Sequence, residues 1–563
     1  MIADILRESA RRHAHRPCVR IRSDSRFSTL TYEEVDRFVD FFAAAVIRQG
    51  IEPRQRVCII SENRPEWVIS YLGTLRAGCT VVPLDSLSKP EDIRYLVRRS
   101  QARMVLSSGK FVKDLGQLED SEEIKPVIVC FDKAESFADW LAGGENALKE
   151  GGPSERRGPE DEEAVLIFTS GTTGTAKGVV LSHRNICFDV AAVLESIPLR
   201  ETDRLLSVLP LHHTLESTAG FLAPLSRGAS ITYARSLRSK EILADLCACR
   251  ATVFISVPLM YEKIGAGIER AIAQSPAHRR LVAKLLLRFS TSAKEKLGLD
   301  AGSFLLRSLR KRAGLDCVRI AVSGAAPLPA EVQKFFGVLG VPILEGYGLT
   351  EASPVVSVNE LDKLRPGSVG RPIPGVEVRI DKPDAQGIGE IMVKGDNVMK
   401  GYLESPEATA RVLSRGWLRT GDLGKLDEDG YLRICGRSKN VIVTRAGKKI
   451  FPEEVETLLA GSPFVSEVMV VGAKNPISGR EEVHALIYPD FEQLRIYAEE
   501  NDIRLDEEQI KELVRSEIRR LCVRLSDYKR VKNFTIRNEE FPKTSTKKIR
   551  RQAVLESASA PEP

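Results

Sequence analysis

Between residues 28 and 107 the apolar positions switch between two periods. "YEEVDRFVDFFAAAVIRQG", Tyr32 to Gly50, repeats its apolar residues three and four positions apart, as one face of a helix requires, and Gly50 suits its C-terminal end. "RVCII" (56–60) and "TVVPL" (80–84) are short apolar runs typical of buried strands, and "EWVISYLGTLRAG" (66–78) between them reads as a helix. This strand–helix–strand rhythm predicts an α/β layered fold. It continues through "KPVIVCF" (125–131), stops at the polar loop "GGPSERRGPEDEE" (151–163), and resumes with "AVLIFTS" (164–170) to about residue 360.

From "GSVGRPIPGVEVRI" (367–380) to "GYLRICG" (430–436), Gly and Pro turns separate short β runs, which predicts a smaller β subdomain. A compact α+β segment follows Arg437. In it "LDEEQIKELVRSEIRRLCVRL" (505–525) reads as a helix opened by an Asp506/Gln509 capping box, with Ile510, Leu513, Val514, Ile518 and Leu521 on one face. No internal repeat is visible, and the tail "ESASAPEP" (556–563) is expected to fray.

At 563 residues the chain has room for about three to four domain-sized units. Its 43% hydrophobic and 28% charged residues suit a soluble globular protein. No apolar run is long enough to span a bilayer, and "MIADILRESARRHAHRP" (1–17) reads as an amphipathic helix without a secretory core, so a cytosol-like compartment is expected. Ten scattered cysteines agree, since Cys247 and Cys249 form one C-x-C with no second pair nearby and make a poor metal site. Net charge is +6, but residues 279–312 hold ten Lys or Arg against Glu295 and Asp300 alone, an excess of eight. Basicity is therefore local, whereas a nucleic-acid surface would be broader and interleaved with aromatics.

The chemistry is concentrated in "FTSGTTGTAKG", Phe168 to Gly178. Thr169, Ser170, Thr172, Thr173 and Thr175 offer hydroxyls, Gly171 and Gly174 let backbone amides turn inward, and Lys177 adds a point charge, a set suited to polyphosphate. It is not a Walker loop: Gly178 stands where that motif has Ser or Thr, and the following "VVLSH" is strand-like rather than helical. A polar Gly/Thr turn is the alternative for the loop taken alone.

The loop resembles the phosphate-binding loop of the adenylate-forming superfamily, which includes acyl-CoA synthetases, luciferases and peptide-synthetase adenylation domains. Five further stretches match that family's motifs in order: "EGYGLTE" (345–351), "GEIMVKGDNVMKGY" (389–402), "GWLRTGDLG" (416–424), "GRSKNVIVTRAGKKIFPEEVE" (436–456) and "FPKTSTKKI" (541–549). The resemblance runs from about Leu30 to Arg551. It implies an α/β fold with a large adenylation domain over 1–436 (two α/β subdomains and a β subdomain), a hinge at 437–439 and a small, mobile α+β domain over 440–563. It also implies a two-step reaction, in which a carboxylate attacks the α-phosphate of ATP to give an acyl adenylate, and coenzyme A then displaces AMP.

Residue by residue, the resemblance implies a pyrophosphate cradle over Thr169 to Lys177, Mg²⁺ on Glu351 and an α-phosphate contact from Thr350. Mg²⁺ takes oxygen ligands and often only one protein carboxylate. Tyr347, beside Gly348, would face adenine, with the backbone of Gly324, Ala325 and Ala326 lining the base. Asp422 would hold the ribose diol, and Arg437 would make a second ribose or phosphate contact. Lys548 would be the mobile catalytic lysine, although Lys547 replaces the glycine usual before it. Lys439 falls at the hinge, and Gly447 faces the pantetheine tunnel. His213, followed by Glu216 in "LPLHHTLE" (209–216), would line the acyl or pantetheine route.

"RRLVAKLLLRF" (279–289) sets Arg280, Lys284 and Arg288 beside Leu281, Leu285 and Phe289, with Val282 and Leu286 completing an apolar face. Such a cationic amphipathic helix suits either an anionic membrane surface or packing on its own domain. That segment, together with "ALIYPDFEQLRIYAEEN" (485–501) read as a polar helical insert, is similar to the long-chain synthetases, so a medium- or long-chain fatty acid is the expected substrate. Competing readings are an acyl-AMP ligase serving an acyl carrier protein, a synthetase for an aryl or short-chain acid, an ATPase, and a non-catalytic lipid or nucleotide binder.

Overall fold

The computed structural model describes residues 1–23, 26–116, 125–132, 137–169, 176–443, 448–474, 481–543 and 548–559. The chain divides into two compact units, Met1–Val378 with Val393–Leu418, and Arg379–Met392 with Arg419–Pro563. Residues 437–439 lie inside the second.

Two sheets organise the first unit. One has seven strands in the order Gly401–Tyr402, Lys177–Ser182, Glu163–Thr169, Thr80–Pro83, Arg56–Ile60, Met104–Ser107 and Val127–Cys130. The strands expected at 56–60 and 80–84 are parallel neighbours joined by the helix Pro65–Arg76, so the predicted strand–helix–strand unit is present. The helix Tyr32–Arg48 carries a Thr31/Glu34 capping box, and Gly50 follows it at φ +79°. The second sheet runs Arg371–Pro372, Val355–Val358, Ile343–Gly348, Ile320–Ser323, Val253–Ser256, Arg204–Ser207, Ser230–Tyr233, Pro17–Ser23 and Arg26–Thr31. Its central strands are parallel and mostly apolar where buried, as strands covered on both faces are, with Ser207, Thr232, Ser256, Ser323 and Glu345 among the buried polar exceptions. A further five-stranded sheet lies in the β-rich region expected after residue 367.

The second unit packs Val455, Leu459, Val470, Ala485, Ile487, Val514, Ile518 and Leu521 into one core. The helix Glu507–Cys522 opens with the expected Asp506/Gln509 capping box; of its predicted face Val514, Ile518 and Leu521 are buried, and Ile510 and Leu513 are half-buried. Two expectations are corrected. The supposed helical insert at 485–501 begins as the strand Glu481–Pro489, because Ala485 and Ile487 alternate inward at period two, and only Phe491–Glu500 is helical. Of the tail 556–563 expected to fray, residues 556–559 instead end the helix Arg551–Ser559, whose Val554 packs against Met469 and Phe541, and residues 560–563 lie outside the described residues. All ten cysteines are free, and six of them are buried. Among the described residues no helix is long and apolar enough to cross a membrane.

Candidate active site

Open α/β sheets bind ligands beyond the carboxyl ends of their parallel strands. In the nine-stranded sheet three such ends carry predicted residues. Arg204–Ser207 leads to His212 and His213, Ile320–Ser323 to Gly324–Ala326, and Ile343–Gly348 to Thr350 and Glu351. The last two strands are parallel neighbours, with Ser323 opposite Glu345, so the loop 324–326 and Tyr347 emerge side by side. Ala325 has φ +70°, an uncommon conformation for a residue with a Cβ. Just beyond it, the Leu328 amide donates to the Glu345 carboxyl at 3.1 Å, tying the loop to the strand. Burial pushes the Glu345 pKa up to about 7 against that hydrogen bond. A Cβ on Gly348 would meet the Pro354 carbonyl oxygen at 1.9 Å, so this turn requires glycine.

Thr350 and Glu351 sit half-buried in the 3₁₀ turn Thr350–Ala352. Fully buried polar residues brace the turn from behind. Asn397 Nδ2 donates to the carbonyls of Ala352 (3.1 Å) and Val355 (2.9 Å), and Ser353 Oγ donates to the Asn397 carbonyl (2.7 Å). Asp189 accepts from the Val355 amide at 3.3 Å, and complete burial raises its pKa well above the carboxylate range.

The phosphate-loop candidate joins two antiparallel strands, as the sequence predicts, with Phe168 opposite Gly178 and Thr169 opposite Lys177. Thr169 Oγ1 donates to the Lys177 carbonyl at 3.4 Å. Ser170, Gly171, Thr172, Thr173, Gly174 and Thr175 lie outside the described residues, as do Gly447 and Lys547. A residue missed from sequence joins the two halves of this cluster: the Tyr402 hydroxyl donates to Glu351 Oε1 at 2.9 Å, and Lys177 Nζ lies 4.8 Å from the Tyr402 ring centroid. Burial first, then the Glu351 charge, raises the phenol pKa above its usual range. The position was visible in "GEIMVKGDNVMKGY", but nothing in the sequence pairs it with Glu351.

His213 is half-buried, its ring centroid 4.1 Å from that of His212. His212 is buried, and desolvation lowers its pKa to about 3, so at neutral pH it is uncharged. Glu216 opens a π-helical turn, Glu216–Leu222, a feature frequent at functional sites. Its carboxyl accepts from Ser207 Oγ at 2.5 Å, and burial pushes its pKa up to about 8. Asn63 ties the same segment down, donating to Ser207 Oγ and the Leu209 carbonyl and accepting from the Leu211 amide.

The second unit gathers the other predicted residues. Asp422 and Arg437 are opposite each other on paired strands and form an ion pair at 2.9 Å, Asp422 buried and Arg437 exposed. Lys439 lies in the short turn Ser438–Asn440. Lys548 directly precedes Ile549, which forms an antiparallel bridge with Lys543. Lys548 keeps an exposed surface yet is crowded by protein atoms. That desolvation lowers its pKa, the Arg437 charge lowers it further, and Asp422 opposes. Asp422, Arg437 and Lys548 are thus electrostatically coupled.

Residues 6–403 match the family described as AMP-binding enzyme, and residues 454–548 match the C-terminal domain of AMP-binding enzymes. The chain belongs to the AMP-binding enzyme family. It is 30% identical to the long-chain-fatty-acid–CoA ligase FadD15 of Mycobacterium bovis, over 95% of this chain and 91% of that one. It is 27% identical to a chloroplastic long-chain-fatty-acid–[acyl-carrier-protein] ligase of Arabidopsis thaliana, over 92% and 80% of the two chains. Among solved structures, ATP-bound MatB from Rhodopseudomonas palustris is similar with a TM-score of 0.77 at 25% identity, covering 99% of both chains.

Proposed function

We propose that this AMP-binding enzyme activates a medium- or long-chain fatty acid with ATP and passes the acyl group to coenzyme A. In the first step a carboxylate oxygen attacks the α-phosphorus and pyrophosphate leaves; in the second the thiol sulfur attacks the acyl carbon, loses its proton and expels AMP. The observation that carries the reading is the cluster of Lys177, Tyr402 and Glu351, which sets a cation for phosphate beside a carboxylate for its metal.

Mg²⁺ fits this cluster. Tyr402 holds Oε1 of Glu351, and among the described residues the other oxygen makes no hydrogen bond, which suits an ion completing its shell from nucleotide phosphates and water. Among the described residues there is no all-protein cage of three or more His, Cys, Asp or Glu. Bound there, the ion would screen phosphate charge. Thr350 contacts the α-phosphate, Tyr347 and the backbone of Gly324, Ala325 and Ala326 hold adenine, and Asp422 with Arg437 holds the ribose. Lys548 supplies positive charge as the pentavalent phosphorus forms, and such preorganised charge is usually the largest rate term. His213 lines the acyl or pantetheine route. Residues 437–439 act as the hinge between a 1–436 domain and a 440–563 domain, pivoting at Lys439 between half-reactions.

The long-chain and membrane parts of the reading rest on the helix Ala277–Leu297. Of its residues only Ser290 and Ala293 are buried. Leu281, Val282, Leu285 and Phe289 are each more than half exposed, and nearby Phe304 is 81% exposed. Arg279, Arg280, Lys284, Arg288, Lys296, Arg307, Lys311 and Arg312 are exposed around them. Bare apolar side chains within a cationic field match an anionic lipid surface on the cytosolic face, where long-chain acids partition.

The test is pyrophosphate release with ATP, Mg²⁺ and carboxylates from acetate to oleate, with coenzyme A, with an acyl carrier protein, or with neither. Oleate-dependent release yielding AMP and acyl-CoA supports the proposal. Thioester only on the carrier protein would replace coenzyme A as acceptor, and release confined to short or aryl acids would overturn the chain length.

A further inference from the structure

We propose that Tyr402 is a positioning residue that holds the metal carboxylate Glu351 and the phosphate lysine Lys177 apart and correctly aimed; this rests on the roles given to those two residues above.

Tyr402 is fixed before it meets either partner. The strand Gly401–Tyr402 pairs antiparallel with Lys177–Ser182, Gly401 opposite Val180 and Tyr402 opposite Val179. The Leu403 amide donates to the Gly178 carbonyl at 2.7 Å, and the Lys400 amide to the Val180 carbonyl at 3.0 Å. The Tyr402 amide itself donates to Thr409 Oγ1 at 2.9 Å. Gly178 is what lets the strands close this tightly, because a Cβ there would come within 2.9 Å of Leu166 Cδ1 and 3.0 Å of Leu403 Cβ. Tyr402 is therefore registered to Val179, two residues after Lys177, independently of any ligand.

From that fixed base the side chain makes two different contacts. Its hydroxyl donates to Glu351 Oε1, leaving the rest of the carboxylate for a metal, and its ring face receives the Lys177 ammonium. Lys177 and Glu351 form no ion pair with each other, although opposite charges this near a common group attract strongly at low dielectric. Were they to collapse together, each would neutralise the other, and the space for phosphate and metal would close. A tyrosine satisfies both charges through different parts of one rigid ring and keeps them separate.

The two contacts can be removed one at a time. Mn²⁺ binding is read from the electron paramagnetic resonance signal of the free ion, in the presence of the unreactive α,β-methylene analogue of ATP, and metal-free binding of the analogue is read by calorimetry. Tyr402→Phe keeps the ring and loses the hydroxyl. It is expected to weaken Mn²⁺ about tenfold, as loss of a partner behind a metal ligand does, with metal-free nucleotide binding unchanged. Tyr402→Leu also frees Lys177 to pair with Glu351 and is expected to weaken metal-free nucleotide binding several-fold as well. Glu351→Gln is measured in parallel. Normal Mn²⁺ binding by Tyr402→Phe while Glu351→Gln loses it would overturn the proposal and leave Glu351 in place. Normal binding by Glu351→Gln would remove the metal from Glu351 and Tyr402's role with it. If Tyr402→Phe lowers the melting temperature as far as Tyr402→Leu and loses metal and nucleotide together, the tyrosine is merely structural and the proposal fails.

Discussion

Two regions of this molecule are rich in positive charge, and they use it in opposite ways. Around Lys548 one ammonium group stands among crowding protein atoms, disfavoured by desolvation and by Arg437 and favoured by Asp422. Along Ala277–Leu297 and the segment after it to Arg312, nine cations are exposed among large apolar side chains that are equally bare. Removing water makes a charge strong at one point, which suits stabilising charge that develops in a reaction. Leaving water in place makes many charges individually weak but additive over an area, which suits attraction to an extended anionic surface. Net charge does not distinguish the two regions, whereas the surroundings of each charge do.

The sharpest way to break the comparison is at Lys548. Lys548→Ala should slow acyl-adenylate formation by about 10²–10³-fold, the scale of losing one preorganised charge, and leave conversion of supplied acyl adenylate to thioester intact. Pyrophosphate release and thioester formation, assayed separately, check this; loss of both would mean that the lysine is not specific to the first half-reaction. Its pKa adds a sign. Burial favours the neutral amine, so as pH rises the proton leaves earlier than from an ordinary lysine, and the rate of the first half-reaction should fall on that alkaline side. Lys548→Arg should move this limb to higher pH, and a limb that stays put would assign it to another group.

A smaller effect is expected at Asp422, whose pairing with Arg437 presents its carboxylate. Asp422→Ala removes charge-assisted hydrogen bonds worth about 1.5–3 kcal/mol each, so KM for ATP should rise at least about tenfold while KM for the acid stays constant. At the exposed region the effects per residue are smaller still. Lys284→Ala and Arg288→Ala should each weaken binding to phosphatidylserine vesicles about fivefold at low salt, with turnover of a water-soluble acid unchanged. Vesicle sedimentation across a salt series checks this, and equal binding to neutral vesicles would remove the electrostatic part. The smallest effect is on stability: Phe304→Ser should shift unfolding by no more than about 0.5 kcal/mol, since an exposed side chain has little packing to lose, yet should weaken vesicle binding.

Local patterns are read well from this chain because they depend on neighbours in sequence. The helix Tyr32–Arg48, the capped helix Glu507–Cys522 and the strands at 56–60 and 80–84 follow from apolar spacing and cap residues, and the motif order places the chain in its family. The strand within 485–501 was missed because its period-two burial is short and runs straight into a helix, and the tail helix because Val554 docks on residues far away in sequence. The candidate site shows the same division. Lys177 is offered for phosphate by the make-up of its loop, and Glu351, Asp422 and Lys548 are proposed for metal, ribose and catalysis through the resemblance of their motifs. That Tyr402 lies against both Lys177 and Glu351, that Glu345 ties down the loop after Ala325, and that the apolar stripe of the basic helix is left uncovered were decided by the tertiary structure alone. Sequence spacing specifies what one helix or strand can present, but which side chains meet across 50 or 200 residues, and which lose their water, is set only when the sheets close over them.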